Sequence, residues 1–276
     1  MNNAFTSVKL TVVIDNTSSN ENAPGEHGLS LHFQSKNQAM LFDAGKSDLV
    51  LSNLKTLQLL DPPPEWIAFS HGHYDHTNGA PALLKRFPNL KPHFHPALLE
   101  AKWVLDAPNE WRYGGIPEDF PTSMSTPYLP PQELIPNIFS SGSLIDESLK
   151  KEGPCRFFKK LNDTYFKDNF VDEQILIVST ERGTSVISGC AHTGIERAIS
   201  KARELFPTKP FYALVGGFHL AAEPPQKLKA VLEQIISAGF KKVMPLHCTG
   251  ENFMKMLAKE HPELYVHGEV GATLNL

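Results

Sequence analysis

Cysteine is scarce in this sequence, and long apolar runs are missing from it. Three cysteines occur in 276 residues, an odd number at wide spacing, which argues against a framework of disulfide bonds. No apolar stretch approaches the roughly 18 residues that a membrane-spanning helix requires. The first residues, MNNAFTSVKL, also lack the basic segment followed by an apolar segment that marks a secretory signal. We therefore expect a cytoplasmic protein with free thiols and no membrane partner.

Neither acidic nor basic residues predominate strongly in the sequence. Lys and Arg total 26 against 30 Asp and Glu, a formal net charge of −4, and the sequence contains no run of basic residues. Such a balance provides no general attraction toward nucleic acid. We expect a small molecule as the partner and no nucleic acid, and nothing in the sequence indicates an oligomeric state.

The apolar patterns predict a mixed α/β protein. The β-branched run Val8–Asp15 is typical of a strand, and Lys227–Ala238 carries its apolar residues on one helical stripe. Strands and helices alternate in the second half, as they do in layered α/β folds. The stretch 103–168 is less regular. It contains Pro108–Pro136, a loop with seven prolines that is either a lid or a surface excursion. We expect one domain over residues 1–276 with an irregular insertion at about 103–168.

Four residues with metal-binding side chains lie within six positions, directly after the apolar stretch Trp66–Phe69. They are His71, His73, Asp75 and His76, in the sequence SHGHYDH. Imidazole and carboxylate groups bind zinc, iron and manganese ions, and two-metal hydrolytic centres place their ions about 3.5–4 Å apart. The alternatives are a chance cluster on a solvated loop and a nucleophilic Ser70, which lacks the glycines of a nucleophile elbow. The spacing predicts a metal centre.

The same stretch, SHGHYDHTNGA, resembles the HxHxDH signature of the metallo-β-lactamase superfamily. LFDAG (Leu41–Gly45) is similar to the strand-end aspartate motif of that family. The segments VIDNT, EHGLSLHF, ISGCAHTGI, VGGFHL and PLHCTG together resemble its archaeal branch of dihydropterin–ribofuranosylaminobenzene phosphate synthase-like proteins. The resemblance implies a four-layered αββα sandwich with two divalent metal ions. Zinc is the favoured metal, and manganese and iron are alternatives.

The resemblance also implies how the metal ligands divide between two sites. It assigns His71 and His73 to one metal, and Asp75 and His76 to the other. His247, in PLHCTG, corresponds to a further ligand of the second metal. Asp75 is in addition the candidate catalytic residue.

In the middle of the chain the sequence departs from the family pattern, because GCAHTG stands where a bridging aspartate is usual. Cys190 and His192 are two residues apart at a strand end, so in extended backbone they point to the same face. His192 could complete the first metal site, and Cys190 could replace the bridging aspartate as a thiolate ligand. The alternatives are a small buried core residue for Cys190 and a residue near a helix N-terminus for His192.

Three further residues are candidates for substrate contact or for support of the ligands. His27 belongs to an active-site loop by resemblance, and His219 follows a Gly-Gly turn where backbone can approach a pocket. Asp43 is expected to orient a metal-bound imidazole through a hydrogen bond. Cys248, next to His247, is expected to point to the opposite face and to pack in the core.

These features favour a metal-dependent hydrolase or a related group-transfer enzyme. It would use a metal-bound hydroxide at a dinuclear centre, on a small substrate for which the branch suggests a phosphate- or pterin-containing molecule. Two alternatives stay open: an iron-dependent oxidoreductase on the same fold, and a non-catalytic sensor of a metal or ligand.

Overall fold

A computed structural model describes residues 7–120, 131–145 and 156–276. Its first sheet has six strands in the order β16-β1-β2-β3-β4-β5, of which β3, β4 and β5 run parallel. The strands are β1 (Val8–Ile14), β2 (Ser30–Ser35), β3 (Gln38–Phe42), β4 (Pro64–Ala68), β5 (Lys91–His93) and β16 (Thr273–Asn275). The C-terminal strand lies at the edge of the sheet, as its position in the sequence suggests.

The second sheet also has six strands, in the order β15-β14-β13-β12-β9-β8, and its last three strands in sequence are parallel. The strands are β8 (Gln132–Ile135), β9 (Ile138–Ser140), β12 (Leu176–Thr180), β13 (Gly183–Ser188), β14 (Phe211–Gly216) and β15 (Lys242–Pro245). The apolar faces of the two sheets pack against each other, with Leu10 and Phe33 meeting Val178 and Val215 in one buried cluster.

The described residues include six α-helices, five of which pack on the outer faces of the two large sheets. They are α1 (Leu49–Thr56), the single turn α2 (Tyr74–Thr77), α3 (Ala80–Arg86), α4 (Ile195–Leu205), α5 (Pro225–Ala238) and α6 (Glu251–Glu260). α1 and α3 pack on the first sheet, and α4, α5 and α6 pack on the second. The apolar stripe of α5 is buried as predicted, and Gly239 ends that helix with a φ of 85°, a conformation that favours glycine. The layers run helix, sheet, sheet, helix, which confirms the expected αββα class.

The segment 103–168 is not irregular in its described part, so that expectation is wrong there. It contributes β8 and β9 to the second sheet and forms a separate antiparallel sheet of four strands in the order β11-β10-β6-β7. These four strands are β6 (Lys102–Ala107), β7 (Glu110–Tyr113), β10 (Phe157–Leu161) and β11 (Thr164–Lys167). The proline-rich loop falls partly on residues 121–130, which lie outside the described residues, as do residues 146–155.

The parallel strands of both large sheets end at the same side of the molecule. Segments that follow β3, β4, β13, β14 and β15 therefore meet there, as loops do at the carboxyl ends of strands in α/β folds. Among the described helices none is long and apolar enough to cross a membrane.

Candidate metal centre

Three buried histidines bring their ring nitrogens together at the carboxyl end of β4. His71 Nε2 lies 3.0 Å from His73 Nδ1 and 3.2 Å from His192 Nε2. His71 and His73 follow β4 directly, while His192 follows β13 of the other sheet. The residue between the first two must be small, because a Cβ on Gly72 would lie 2.5 Å from the Leu98 carbonyl oxygen.

Burial keeps two of these imidazoles neutral. It lowers the pKa of His73 to about 3 and that of His71 well below the usual range. A neutral imidazole has a lone pair available for a metal ion. The ring nitrogens of His71, His73 and His192 lie close together in three buried rings, and three imidazole donors have the chemistry of a transition-metal site.

A second group forms around the carboxylate of Asp75. Its Oδ2 lies 3.1 Å from His27 Nε2, 3.3 Å from His247 Nε2 and 3.9 Å from His76 Nε2. Burial favours the neutral acid, but the charge of His76 and the hydrogen bonds from His247 and His27 lower the pKa of Asp75 well below its usual range. This carboxylate is therefore ionised, and it faces the nitrogens of three histidines.

Asp43 supports both ends of the histidine motif. Its Oδ2 accepts hydrogen bonds from His76 Nδ1 and Ser70 Oγ, each 2.7 Å long, and its Oδ1 accepts one of 2.7 Å from the Ser70 amide. Ser70 Oγ lies in turn 2.9 Å from His71 Nδ1. Burial opposes protonation of His76, yet Asp43 and Asp75 outweigh it and raise the pKa of His76 to about 9. Asp43 thus holds a ring and directs its Nε2 toward the cavity, the geometry expected of an orienting carboxylate.

Cys190 lies between the two groups, and Cys248 lies beside it. Cys190 Sγ is 3.1 Å from His76 Nε2 and 3.3 Å from Cys248 Sγ. The expectation that Cys248 packs in the core is wrong, because His247–Thr249 form a turn of 3-10 helix instead of extended backbone. The turn brings neighbouring side chains to the same side, and Cys190, His247 and Cys248 form another group of possible metal donors. Burial raises the pKa of Cys190 well above its usual range.

Most of these side chains border one cavity of about 200 Å³: His27, His73, Asp75, Cys190, His192, His247 and Cys248. His219, with a φ of 52°, places its ring 4.3 Å from that of His192 and lines the same cavity. The structure therefore brings together nine of the ten candidate residues at the cavity or in contact with its lining, and the tenth, Asp43, lies directly behind His76.

Several residues that support the candidate metal ligands were not singled out from the sequence. Asp15 Oδ1 accepts a hydrogen bond of 2.7 Å from the amide of His247, and Asn16 Oδ1 lies 2.9 Å from His247 Nδ1. Both residues directly follow β1. Polar side chains at the end of a buried strand were a signal available in the sequence.

The segment DNFVDEQI (168–175), which contains no histidine, supports the ligand loops from behind. Asp172 Oδ2 accepts a hydrogen bond of 2.8 Å from the Gly72 amide. Glu173 accepts hydrogen bonds of 2.6 and 2.7 Å from the amides of His192 and Thr193. The buried Lys102 ammonium lies 3.0 Å from a carboxylate oxygen of Asp172, and at the same distance from Asp168. The acidic residues of this segment therefore fix backbone on both sides of the histidine group.

The model of the metallo-beta-lactamase superfamily matches residues 25–193, which is more than half of the chain. A Methanocaldococcus jannaschii protein named 7,8-dihydropterin-6-methyl-4-(beta-D-ribofuranosyl)-aminobenzene-5'-phosphate synthase is 29% identical over 254 residues, with 86% of each chain covered.

Solved structures show the same relationship. A crystal structure described as a metal-dependent hydrolase of the beta-lactamase superfamily is 28% identical, with a TM-score of 0.80, and the match covers 98% of this chain and 99% of that one. Zinc-bound PqqB from Methylobacterium extorquens is 10% identical, with a TM-score of 0.60 over 97% of this chain and 100% of that one, and shares the fold. The protein belongs to the metallo-beta-lactamase superfamily.

Proposed function

We propose that the protein is a metal-dependent hydrolase or group-transfer enzyme with a dinuclear centre, acting on a small substrate. The observation that carries this proposal is the pair of adjoining donor groups at one cavity, His71 with His73 and His192, and Asp75 with its histidines. Donors of this kind fit two divalent cations, and a zinc ion is favoured because a thiol lies among them.

The ligands divide as follows. His71, His73 and His192 would hold one cation. Asp75, His76 and His247 would hold the other, and Cys190 lies where its sulfur could reach it or both. Cations held there supply positive charge that acidifies water and stabilises negative charge developing on a carbonyl or phosphoryl oxygen.

The protein's own groups orient these donors and handle protons. Asp43 fixes the ring of His76, and Asn16 fixes that of His247, so both imidazoles are held before any substrate arrives. His27 Nε2 is hydrogen-bonded to Asp75 Oδ2 and its side chain is 52% exposed. We infer that His27 passes protons between the cavity and solvent, and that the ionised Asp75 carboxylate orients the His27 ring for this transfer.

The substrate class rests on the relatives. The M. jannaschii protein is named as a synthase of a phosphate-bearing dihydropterin compound, which supports group transfer as well as hydrolysis. A phosphate- or pterin-containing small molecule is the substrate we propose to test first.

The test combines metal analysis with turnover of generic aryl phosphodiesters and lactones. His71→Ala and His247→Ala should each lower the bound metal by about one ion per chain and abolish turnover. His261→Ala is the matched control, because His261 lies beyond the far end of α6 and pairs with Glu263. Turnover that survives in both site variants after metal is lost would contradict the proposal. If neither the wild type nor any variant turns over these compounds, but the proteins still bind them, a sensor would be favoured.

A further inference from the structure

We propose that Arg112 and Arg156 form an anion-binding rim of the metal-centre cavity and select substrates that carry a phosphate monoester group away from the reacting bond. This inference rests on the proposed function for its biological meaning, but the rim can be tested by binding alone. Neither arginine belongs to the histidine motifs.

Both arginines border the same cavity as the metal-binding side chains. Arg112 lies on β7, and Arg156 directly precedes β10. The two strands flank β6, in which Val104 pairs with Arg112 on one side and with Phe157 on the other. The four-stranded sheet of the insertion thus presents its basic residues at the mouth of the cavity.

The rim carries an excess of positive charge. Asp106 Oδ2 accepts a hydrogen bond of 2.8 Å from Arg112 Nε, and its Oδ1 also pairs with Arg156 Nη2. One carboxylate therefore lies between two guanidinium groups. Each guanidinium has five N–H donors in a planar fork, so donors remain on both for a second anion.

Ring contacts help to hold the two guanidinium groups in place. The Arg112 guanidinium carbon lies 5.6 Å from the ring centre of Tyr74, and that of Arg156 lies 5.8 Å from the ring centre of Phe157. Stacked and paired arginines lose less freedom when they bind a ligand than unrestrained ones do. Two guanidinium groups that border one cavity suit the several oxygens of a phosphate group, to which arginine can donate in pairs.

The number of guanidinium groups distinguishes this cavity from its neighbour. A second cavity of about 790 Å³ shares Tyr74 and Arg112 with the first, and Lys46 and Glu118 line it as well. Two guanidinium groups come together where Arg112 and Arg156 face the metal-binding residues, and we place the phosphate group there.

The experiment measures binding of glycerol phosphate, with glycerol as the uncharged counterpart, to the full-length protein as purified. We expect binding to the wild type that falls by about tenfold in Arg112→Gln and in Arg156→Gln, since charge-assisted hydrogen bonds are lost. Arg112→Lys, which keeps the charge but not the fork, should fall between Arg112→Gln and the wild type. Arg182→Gln should bind as the wild type does, because Arg182 lies in the turn before β13, at the opposite end of that strand from the cavity.

Two outcomes would overturn the rim: no measurable binding of glycerol phosphate to the wild type, or equal binding by the wild type and the folded Arg112→Gln/Arg156→Gln double variant. Turnover of a generic aryl phosphodiester is measured in parallel. Arginine-dependent binding without any turnover would uphold the rim and contradict the enzymatic proposal. Turnover, combined with binding that does not depend on the two arginines, would uphold the enzymatic proposal and contradict the rim.

Discussion

At the scale of single residues, the centre depends on groups that hold ligands as much as on the ligands. Asp43 is fully buried and accepts hydrogen bonds from the ring of His76, a proposed ligand, and from Ser70, which precedes the histidine motif. Such outer carboxylates set the orientation and the basicity of a metal-bound imidazole. Their loss should therefore be visible in metal affinity while every ligand remains present.

We expect Asp43→Asn to weaken metal binding by about 10- to 100-fold. The amide keeps the shape of the side chain, but its NH2 group cannot accept the hydrogen bond from His76 Nδ1. Competition with a chromophoric chelator measures the affinity. Asp163→Asn is the control, since the Asp163 side chain is 94% exposed in a pair with Lys160. Equal affinities of Asp43→Asn and the wild type would contradict the role of Asp43.

The thiols offer a second test at this scale. A cobalt-substituted protein should show the near-ultraviolet charge-transfer band of a thiolate ligand, because Cys190 Sγ lies 3.1 Å from His76 Nε2 among the donors. We expect Cys190→Ser to remove or strongly reduce that band. Cys248→Ser reports whether the neighbouring sulfur contributes. A band unchanged in both variants would exclude these two thiols as ligands.

At the scale of elements, strand β2 contains a histidine whose burial makes folding depend on pH. His32 lies between Thr11 and Leu41 in the sheet, and burial, with the nearby charge of Lys9, lowers its pKa from 6.5 to about 4. Between these values the unfolded chain binds a proton that the folded chain does not. The free energy of unfolding therefore falls as the pH falls from 6.5 toward 4.

The expected contribution of His32 is about 3 kcal/mol across that interval. Urea unfolding of the wild type and of His32→Leu at several pH values measures it as a difference in slope. The variant should lose less stability on acidification. His267→Leu, in which a side chain that is 68% exposed is replaced, should keep the slope of the wild type. Parallel curves for the wild type and His32→Leu would show that His32 does not titrate in this way.

The insertion sheet is joined to the centre by a buried ion cluster. Lys102 on β6 neutralises part of the charge of Asp168 and Asp172. Burial of the Lys102 ammonium favours its neutral form, but the two carboxylates outweigh this effect and raise the pKa of Lys102. We expect Lys102→Met to reduce the free energy of unfolding by about 3–5 kcal/mol, because two buried carboxylates lose their cation. Lys160→Met, which breaks an exposed pair, should reduce the free energy of unfolding far less. Similar losses in the two variants, measured by urea unfolding, would contradict this account.

At the scale of the whole molecule, local patterns predicted a layered α/β protein, the family resemblance implied the αββα order of its layers, and tertiary contacts determined the rest. The stripe on α5 and the run in β1 are periodic over enough residues to identify a helix and a strand. The short strands in 103–168 carry aromatic and charged residues on both faces, so periodicity does not distinguish them from loops. The prolines around these strands are also typical of loops.

The candidate site divides in the same way. His71, His73 and His76 lie close together in the sequence, so their spacing alone predicts a metal centre. Cys248 was misplaced because its orientation depends on a turn of 3-10 helix that the sequence pattern does not specify. Glu173 was missed because its partners are backbone amides of a loop nineteen or more residues away, which only folding brings near.

Metal binding should also stabilise the whole fold, because the donors come from both large sheets. His71, His73, Asp75 and His76 follow β4 of the first sheet, and Cys190, His192 and His247 follow strands of the second. A cation held by His71 and His192 would join the two sheets at their open end. A ligand that binds only the folded state adds about 4 kcal/mol at a thousandfold excess over its dissociation constant, so removal of metal by a chelator should lower Tm by several degrees.

The control for this effect is the double variant His71→Ala/His247→Ala, which would lack a donor in each group. Its Tm should not respond to the chelator, whereas that of His261→Ala should respond as the wild type does. If the chelator lowers the Tm of the double variant as much as it lowers that of the wild type, metal stabilises the protein from another position. If the metal centre links the two sheets, the double variant should lose both the bound metal and the response of its Tm to the chelator.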